Sequence, residues 1–310
     1  MRNKFAEVLY KFSKTNKKIR VVAADISPAG KMAELSKKYP DRFINVGVAE
    51  SSMISICAGL AMRGLKPFAY TIASFSIFRP FEMVRIDVGY QNLPVVIVGM
   101  GAGTVYSTLG GTHLTQEDVS VMRCLPNFKI LNPCDSLELE ECLKYLITKN
   151  NSPCYLRIGK SGEKNFTAKS HEKWVFNKPR IIKKGKDDIC LIGTGPIIKF
   201  FFEIIEKAKL KKIFPTVISY HTLKPNNNSE IKKIFNNFNN IITLEDISEI
   251  NGLSTIFKNI AFENKYKGKI VSFALKDKNI KNYGSQNDLL RSHGITQDKI
   301  YKEILKILKK

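Results

Sequence analysis

The stretch that decides the fold is PVVIVGM at residues 94–100, followed by GAGTVYSTLGGTHLTQED at residues 101–118. A short and fully apolar run of this kind is typical of a parallel strand that is buried on both faces of a sheet. The glycine-rich segment after it predicts a loop at the carboxyl end of that strand, where open α/β sheets bind ligands. The sequence therefore predicts an α/β domain with a site near residues 101–118.

The same alternation of apolar runs and helical patterns extends on both sides of this stretch. Short runs at residues 19–24 and 43–48 predict strands, and residues 51–63 and 75–90 predict helices. A polar, lysine-rich segment at 166–187 lacks periodicity, and a second alternation begins at residue 188. We predict two consecutive three-layer α/β domains with mostly parallel sheets, over residues 1–165 and 188–310, joined by a linker at 166–187.

The net charge of +22 invites a different interpretation, that of a basic protein that binds nucleic acid. Residues 166–310 hold 28 of the 50 lysines and arginines but only 14 of the 28 acidic residues. The surplus consists mostly of single lysines, without arginine-rich or aromatic-interleaved stripes. A solvated surface explains such a pattern, so we expect no nucleic-acid partner and keep nucleic-acid binding as the alternative from another functional class.

Several kinds of site are excluded by what the sequence lacks. The six cysteines form no CxxC pair or zinc-like cluster with histidine, so we expect no metal ligands in this chain. Neither a signal peptide nor an apolar run long enough for a membrane span is present, which predicts a soluble, cytoplasmic protein with no membrane partner. No P-loop, GxGxxG or Gly-Asp-Gly…Asn motif occurs, and the turn Gly193–Pro196 is only weakly suggestive of a dinucleotide site.

Three features could carry chemistry. Glu50 lies where an apolar strand becomes a helix of small residues, so it is either a helix-start glutamate favoured by the helix dipole or a buried carboxylate that shares a proton. Phe75, Phe78 and Phe81 recur every third residue, as a core stripe or as a shelf for a flat heterocycle. His113 follows two glycines and is either an ordinary surface histidine or an acid, base or hydrogen-bond donor.

Taken in order, these segments resemble one known family. Asp25, DRFINVGVAE (41–50), the Phe/Arg segment 70–87 and GGTHLTQEDVSVMRCLPNFKILNPCD (110–135) resemble the pyrimidine-binding half of transketolases. The resemblance is best to the split form, which consists of two shorter chains. Residues 188–310, with SYHTLKP and LLRSHGI, resemble the transketolase C-terminal domain. The resemblance implies ketol transfer between sugars by means of thiamine diphosphate.

The resemblance also implies roles for individual residues. Glu50 corresponds to the catalytic glutamate that contacts N1′ of the cofactor's aminopyrimidine, and His113 to a histidine that contacts the hydroxyl groups of the donor. Phe75, or alternatively Phe78, corresponds to the ring that stacks on the pyrimidine. Two further groups complete the expected site: the cofactor-binding loop residues Asp25 and Ser27, and Arg157, expected to bind substrate phosphate.

The chain departs from the family pattern at positions that contact sugar or phosphate in typical members. Ser51 and Ser52 follow the glutamate, Gly101 stands where a histidine is expected, and Leu109 where an aspartate is expected. These differences imply an atypical sugar substrate. The missing diphosphate motif implies an N-terminal partner subunit that holds the diphosphate and its Mg²⁺ or Ca²⁺, in an α2β2 assembly. The alternative within the same architecture is the β subunit of a 2-oxoacid dehydrogenase.

Overall fold

The computed structural model describes residues 1–170 and 172–308. Its strands are β1 Ile19–Ala23, β2 Phe43–Asn45, β3 Lys66–Ile72, β4 Val96–Met100, β5 Lys129–Leu131, β6 Cys154–Ile158, β7 Arg180–Lys183, β8 Cys190–Gly193, β9 Thr216–Ser219, β10 Thr222–Lys224, β11 Asn240–Ser248 and β12 Lys269–Leu275. The α-helices are α1 Arg2–Ser13, α2 Lys31–Lys38, α3 Glu50–Met62, α4 Ala73–Ile77, α5 Phe81–Met83, α6 Asp118–Cys124, α7 Ser136–Thr148, α8 Lys199–Lys209, α9 Asn228–Asn237, α10 Leu253–Glu263, α11 Gln286–Ser292 and α12 Gln297–Ile307.

The first sheet has seven strands in the order β10-β5-β6-β4-β3-β1-β2. Its six N-terminal strands pair in parallel, and β10 adds to the edge in the antiparallel direction. Every residue of β4 is buried, as its apolar sequence predicts. The predicted α/β class with mostly parallel sheets is therefore confirmed for this domain, and β4 carries the glycine-rich loop at its carboxyl end.

The second sheet has five strands in the order β12-β11-β8-β9-β7, with only β7 antiparallel to its neighbour. Strand β7 lies inside the segment 166–187, which the sequence predicts as a linker. Ile181 and Ile182 stand between basic residues, and four residues are too few for a recognisable alternation. The second sheet therefore begins at Arg180, before the predicted domain boundary at residue 188.

Helices cover both faces of each sheet and give the predicted three layers. Alternate residues of β1 face opposite sides: Val21 packs toward α1, α2 and α7, whereas Val22 packs toward α3. The apolar cluster that contains Val22 continues into the second domain, where it includes Ile192 and Phe257. One continuous core therefore joins the two domains.

The helix predicted over residues 75–90 is interrupted. Helix α4 ends at Ile77, Pro80 precedes α5, and Val84–Tyr90 continues as a π-helix. A proline interrupts a helix because it has no N–H group to donate and its ring displaces the preceding turn. The break places Phe78 and Arg79 on a corner instead of on a straight helix face.

Within the described part of the chain, no helix is both long and apolar enough to cross a membrane. The six cysteines are free, and five of them are buried. They include Cys57 in α3 and Cys190 in β8, where they pack as small core residues, as their apolar surroundings predict.

Candidate active site

Glu50 is the first residue of α3 and follows the turn at Gly47, where φ is +69°. The helix is apolar around most of its circumference, and its inner face packs Met53, Ile54 and Cys57 into the core. Only 5% of Glu50 is exposed, although it begins a helix. Glu50 is therefore both a helix-start glutamate, which the helix dipole favours, and a buried one; its sharing of a proton stays a prediction.

The partner of Glu50 is Arg79, which lies at the corner after α4. Its Nη1 donates to both carboxylate oxygens at 3.2 Å. The guanidinium carbon also lies 4.7 Å from the centre of the Phe75 ring, which is a cation–π distance. Glu50, Phe75 and Arg79 are thus brought together by the carboxyl-end connections of β2 and β3, two strands that both pair with β1.

His113 reaches the same place from the glycine-rich loop after β4. Its ring lies edge-on to Phe75 with 5.2 Å between the centres, and 6.2 Å from the ring of Tyr106. Its Nδ1 is hydrogen-bonded to the Thr112 hydroxyl at 2.9 Å, which leaves Nε2 available to a ligand. The structure therefore links the three residues through contacts, His113 to Phe75, Phe75 to Arg79 and Arg79 to Glu50, while their roles stay predictions.

A cavity of about 720 Å³ opens beside this group, and the two domains share its lining. Phe75, Phe78 and Arg79 form one side, and Thr112 and Gln116 come from the glycine-rich loop and its end. Asn279 and Ile280 of the second domain complete it. Both candidate stacking residues, Phe75 and Phe78, therefore line the cavity, and Phe78 is 40% exposed.

Asp25 and Ser27 follow β1 at the same edge of the sheet, and both are exposed. Asp25 has a φ of +50°, an unusual conformation that marks the turn after the strand. Neither side chain has a hydrogen-bonding partner in residues 1–170 or 172–308. Their cofactor-binding role stays a prediction.

The substrate-binding role predicted for Arg157 is wrong. Arg157 lies in β6 and is 1% exposed. Its Nε donates to Asp118 at 2.9 Å, its Nη1 to the Asp246 carboxylate at 2.8 Å, and its Nη2 to the Asp246 carbonyl at 3.1 Å. Burial alone lowers the pKa of Arg157, but the two carboxylates outweigh burial and raise it. Its guanidinium is enclosed between the domains and cannot reach a substrate.

The buried Arg157 cluster supports the glycine-rich loop instead. A side chain at Gly103 would overlap the Asp246 carboxylate and the Arg157 guanidinium, and φ at Gly103 is +72°. The Gly103 N–H donates to the Thr115 hydroxyl at 2.7 Å, which closes the base of the loop. Only glycine fits at this position, so the loop that carries His113 rests on the domain interface.

Two residues that the sequence does not single out, Tyr106 and Lys160, extend from His113: Tyr106 contacts the histidine ring, and Lys160 contacts Tyr106. Tyr106 fills the space that a side chain at Gly101 would occupy, and burial raises its pKa. The ammonium group of Lys160, at the end of β6, lies 5.3 Å from the centre of the Tyr106 ring. The sequence offers one indication of Lys160: it is a cation three residues after Arg157. Because it lies just past the end of β6, it is exposed, whereas Arg157 is buried within the strand.

The turn Gly193–Pro196, weakly suggestive of a dinucleotide site, is part of the contact between the domains. The Asn132 amide donates to the Thr194 hydroxyl at 3.1 Å, and the Gly195 N–H donates to the Asn132 carbonyl at 3.1 Å. A side chain at Gly195 would overlap Asn132. The glycine therefore permits close packing of the two domains, and Asn132 covers the turn.

No group of three or more histidine, cysteine, aspartate or glutamate side chains in residues 1–170 and 172–308 could hold a metal ion. Three buried acidic residues around the site have arginine partners. Glu50 is paired with Arg79, and Asp118 and Asp246 with Arg157.

Both domains match known protein families. Residues 1–162 match the family "Transketolase, pyrimidine binding domain", and residues 178–300 match "Transketolase, C-terminal domain". These matches confirm the resemblance drawn from the motifs. The second match begins at residue 178, which agrees with the position of β7 in the second sheet.

Relatives and solved structures agree with the family matches over the whole chain. The chain is 27% identical to one of the subunits of apulose-4-phosphate transketolase from Phocaeicola vulgatus, covering 100% of this chain and 97% of the relative. It is 28% identical to a 6-deoxy-6-sulfo-D-fructose transketolase subunit of a Clostridium species, covering 85% and 81%. A structure described as a split gene transketolase, inactive β4 tetramer, superposes with a TM-score of 0.88 at 27% identity, covering 99% and 98%.

Proposed function

The chain belongs to the transketolase family, and on that premise we propose that it is the C-terminal subunit of a two-subunit transketolase. The reaction moves a two-carbon ketol unit from a ketose to an aldehyde acceptor, so that the donor leaves as an aldose and the acceptor becomes a ketose. The proposal rests on the Phe75 ring, which lines the cavity and contacts both His113 and Arg79, the partner of buried Glu50.

The residues present fit the aminopyrimidine of thiamine diphosphate. Glu50 is a buried carboxylate whose only partner in the described residues is the half-exposed Arg79. Phe75 and Phe78 offer flat apolar faces at the cavity, with Phe75 nearer to His113. When bound, thiamine diphosphate supplies a nucleophilic carbon that can break and form carbon–carbon bonds next to a carbonyl.

Glu50 has the position and burial needed for acid–base work on a pyrimidine. It would accept a hydrogen bond from N1′ and hold a proton there, in a site from which water is largely excluded. Phe75 would stack on the ring, with Phe78 as the alternative. His113 would donate from Nε2 to a hydroxyl group of the donor sugar, since its Nδ1 is already engaged by Thr112.

We propose that Lys160, and not Arg157, is the cation that binds an anionic group of the substrate. It is exposed, and its ammonium group lies over the ring of Tyr106, which also contacts His113. Leu109 is half-exposed on the glycine-rich loop, and Tyr106 occupies the space beside Gly101. An apolar and an aromatic residue here would change which sugar hydroxyls are contacted, which supports an atypical sugar.

We propose that the diphosphate and its Mg²⁺ or Ca²⁺ are held mainly by an N-terminal partner subunit, in an α2β2 assembly. The outer face of α3 supports a contact beside Glu50, because it exposes small and apolar residues at Ser52, Ser55, Ile56 and Met62. Asp25 and Ser27 would lie near this contact. The cytoplasmic location expected from the sequence stays part of the proposal.

The substitution Glu50→Gln tests this function in the complex with the partner subunit. Glutamine keeps the size of the side chain but cannot take up the proton, so we expect ketol transfer to fall by about 100-fold or more. Glu82→Gln is the matched control, because Glu82 is an exposed glutamate on the neighbouring segment. Undiminished transfer by the Glu50→Gln complex, with both variants assembled equally, would reject Glu50 as the activating residue.

A further inference from the structure

Arg79 makes two contacts at once that a bound pyrimidine would also make. Its Nη1 donates to both oxygens of Glu50 at 3.2 Å, and its guanidinium lies 4.7 Å from the centre of the Phe75 ring. A guanidinium and an aminopyrimidine that holds a proton at N1′ are both flat groups with N–H donors at the edge and a face that stacks on an aromatic ring. They therefore suit the same carboxylate and the same ring.

We propose that Arg79 is a gate for the cofactor: it pairs with Glu50 and must turn away before the pyrimidine can take its place. This inference rests on the proposed function, because it concerns how the same site admits its cofactor. Both oxygens of Glu50 are engaged by one nitrogen of Arg79, so N1′ of the pyrimidine and Arg79 compete for the carboxylate.

The local structure allows Arg79 to move and keeps Glu50 in place. The Arg79 side chain is 53% exposed, and in the part of the chain that the structure describes its polar contacts go to Glu50 alone. Arg79 also stands at the corner between α4 and Pro80, where no continuous helix confines its side chain. Glu50, in contrast, is 5% exposed at the start of a packed helix.

The gate has a defined consequence for binding. If only the fraction of molecules with Arg79 turned away can bind, the apparent dissociation constant of the cofactor rises in inverse proportion to that fraction. The effect falls on the association rate, since the bound complex no longer contains the Arg79–Glu50 pair. An arginine that helped to hold the cofactor would have the opposite effect, because its removal would speed dissociation.

The test measures thiamine diphosphate binding to the complex with the partner subunit, by calorimetry and by stopped-flow kinetics. We expect Arg79→Ala to lower the dissociation constant by about two- to fivefold, as for a partly exposed ion pair, and to do so through faster association. Arg79→Lys keeps the charge but loses the flat stacking group, so its constant should lie between those of the alanine variant and the unmodified complex.

Arg85→Ala is the matched control, because Arg85 pairs with exposed Glu82 on the next turn and does not contact Glu50. Its binding constant should not change. An unchanged or weaker affinity of the Arg79→Ala complex, with circular dichroism showing it folded, would overturn the gate. Absence of thiamine diphosphate binding by the unmodified complex would instead reject the proposed function, so the two failures are distinguishable.

Discussion

Glu50 and Arg157 are both buried charged residues, but their surroundings give them different roles. Glu50 faces a half-exposed arginine at the edge of a cavity, whereas Arg157 is enclosed by Asp118 and Asp246. The position of Glu50 at the start of a helix is predictable because the strand, the turn and the helix around it are local patterns, whereas its catalytic role is implied only by the family resemblance. The role of Arg157 could not be predicted, since its partners lie 39 and 89 residues away and only the fold brings them together.

Phe75 and Phe78 are equivalent in the sequence pattern, but the structure separates them. Phe75 contacts both His113 and Arg79, while Phe78 is more exposed at the rim of the same cavity. We therefore expect Phe75→Ala to weaken thiamine diphosphate binding by about tenfold, through the loss of ring stacking. Calorimetry on the complex with the partner subunit measures this change.

The variant Phe78→Ala provides the comparison. Because Phe78 is exposed, its loss should change affinity by less than the loss of Phe75. A larger effect of Phe78→Ala than of Phe75→Ala would assign the stacking role to Phe78 instead.

At the scale of elements, the sequence predicts those strands whose apolar runs are long enough to show a pattern. The apolar run 94–100 predicts β4, and the residues of β4 are all buried. The lysine- and asparagine-rich helix α9 was missed, although Ile231, Ile234 and Phe235 bury one face of it. Strand β10 could not be found from its own sequence, because three residues become a strand only by pairing with β5 of the other domain.

The support of the glycine-rich loop by Arg157 leads to a prediction about stability. Replacing Arg157 by methionine leaves Asp118 and Asp246 buried without their cation, so we expect the free energy of unfolding to fall by about 3–5 kcal/mol. Urea denaturation of the isolated chain measures this value. Arg291→Met is the control, because Arg291 is an exposed arginine paired with Asp288, and it should cost less than about 1 kcal/mol. Equal losses for the two variants would contradict a structural role for Arg157.

Glu245 in β11 predicts a dependence of stability on pH. Burial raises its pKa to about 7, although it accepts hydrogen bonds from the backbone N–H groups of Leu253 and Ser254 at the start of α10. An exposed glutamate has a pKa of about 4.3, so between about pH 4.3 and 7 the folded chain holds more protons than the unfolded chain. The stability contributed by Glu245 therefore falls as the pH rises through this window.

The variant Glu245→Gln removes this titration. From pH 5 to pH 7.5 we expect the variant to gain about 2 kcal/mol of stability relative to the unmodified chain, as measured by urea denaturation at each pH. If the free energies of unfolding of the two proteins change in parallel with pH, Glu245 is already ionised throughout the window. The hydrogen bonds from Leu253 and Ser254 would then outweigh the effect of burial on its pKa.

For the whole molecule, the sequence predicts two α/β domains but not how closely they are joined. One apolar cluster extends through both domains, β10 pairs with the first sheet, and Asn132 packs against Thr194. These contacts link residues that are distant in sequence. The composition of the chain therefore indicates a boundary between the two domains but not the contacts across it. The cavity depends on this arrangement, because Asn279 and Ile280 of the second domain line it together with Phe75.

We infer that this chain is half of an enzyme. A solved relative described as an inactive β4 tetramer of a split gene transketolase supports it, as does the exposed outer face of α3 beside Glu50. The most direct test is to assay ketol transfer with this chain alone, with the N-terminal subunit alone, and with the two mixed. We predict transfer only in the mixture, with thiamine diphosphate and a divalent metal present. Full activity from this chain alone would show that the chain is a complete enzyme and needs no N-terminal subunit.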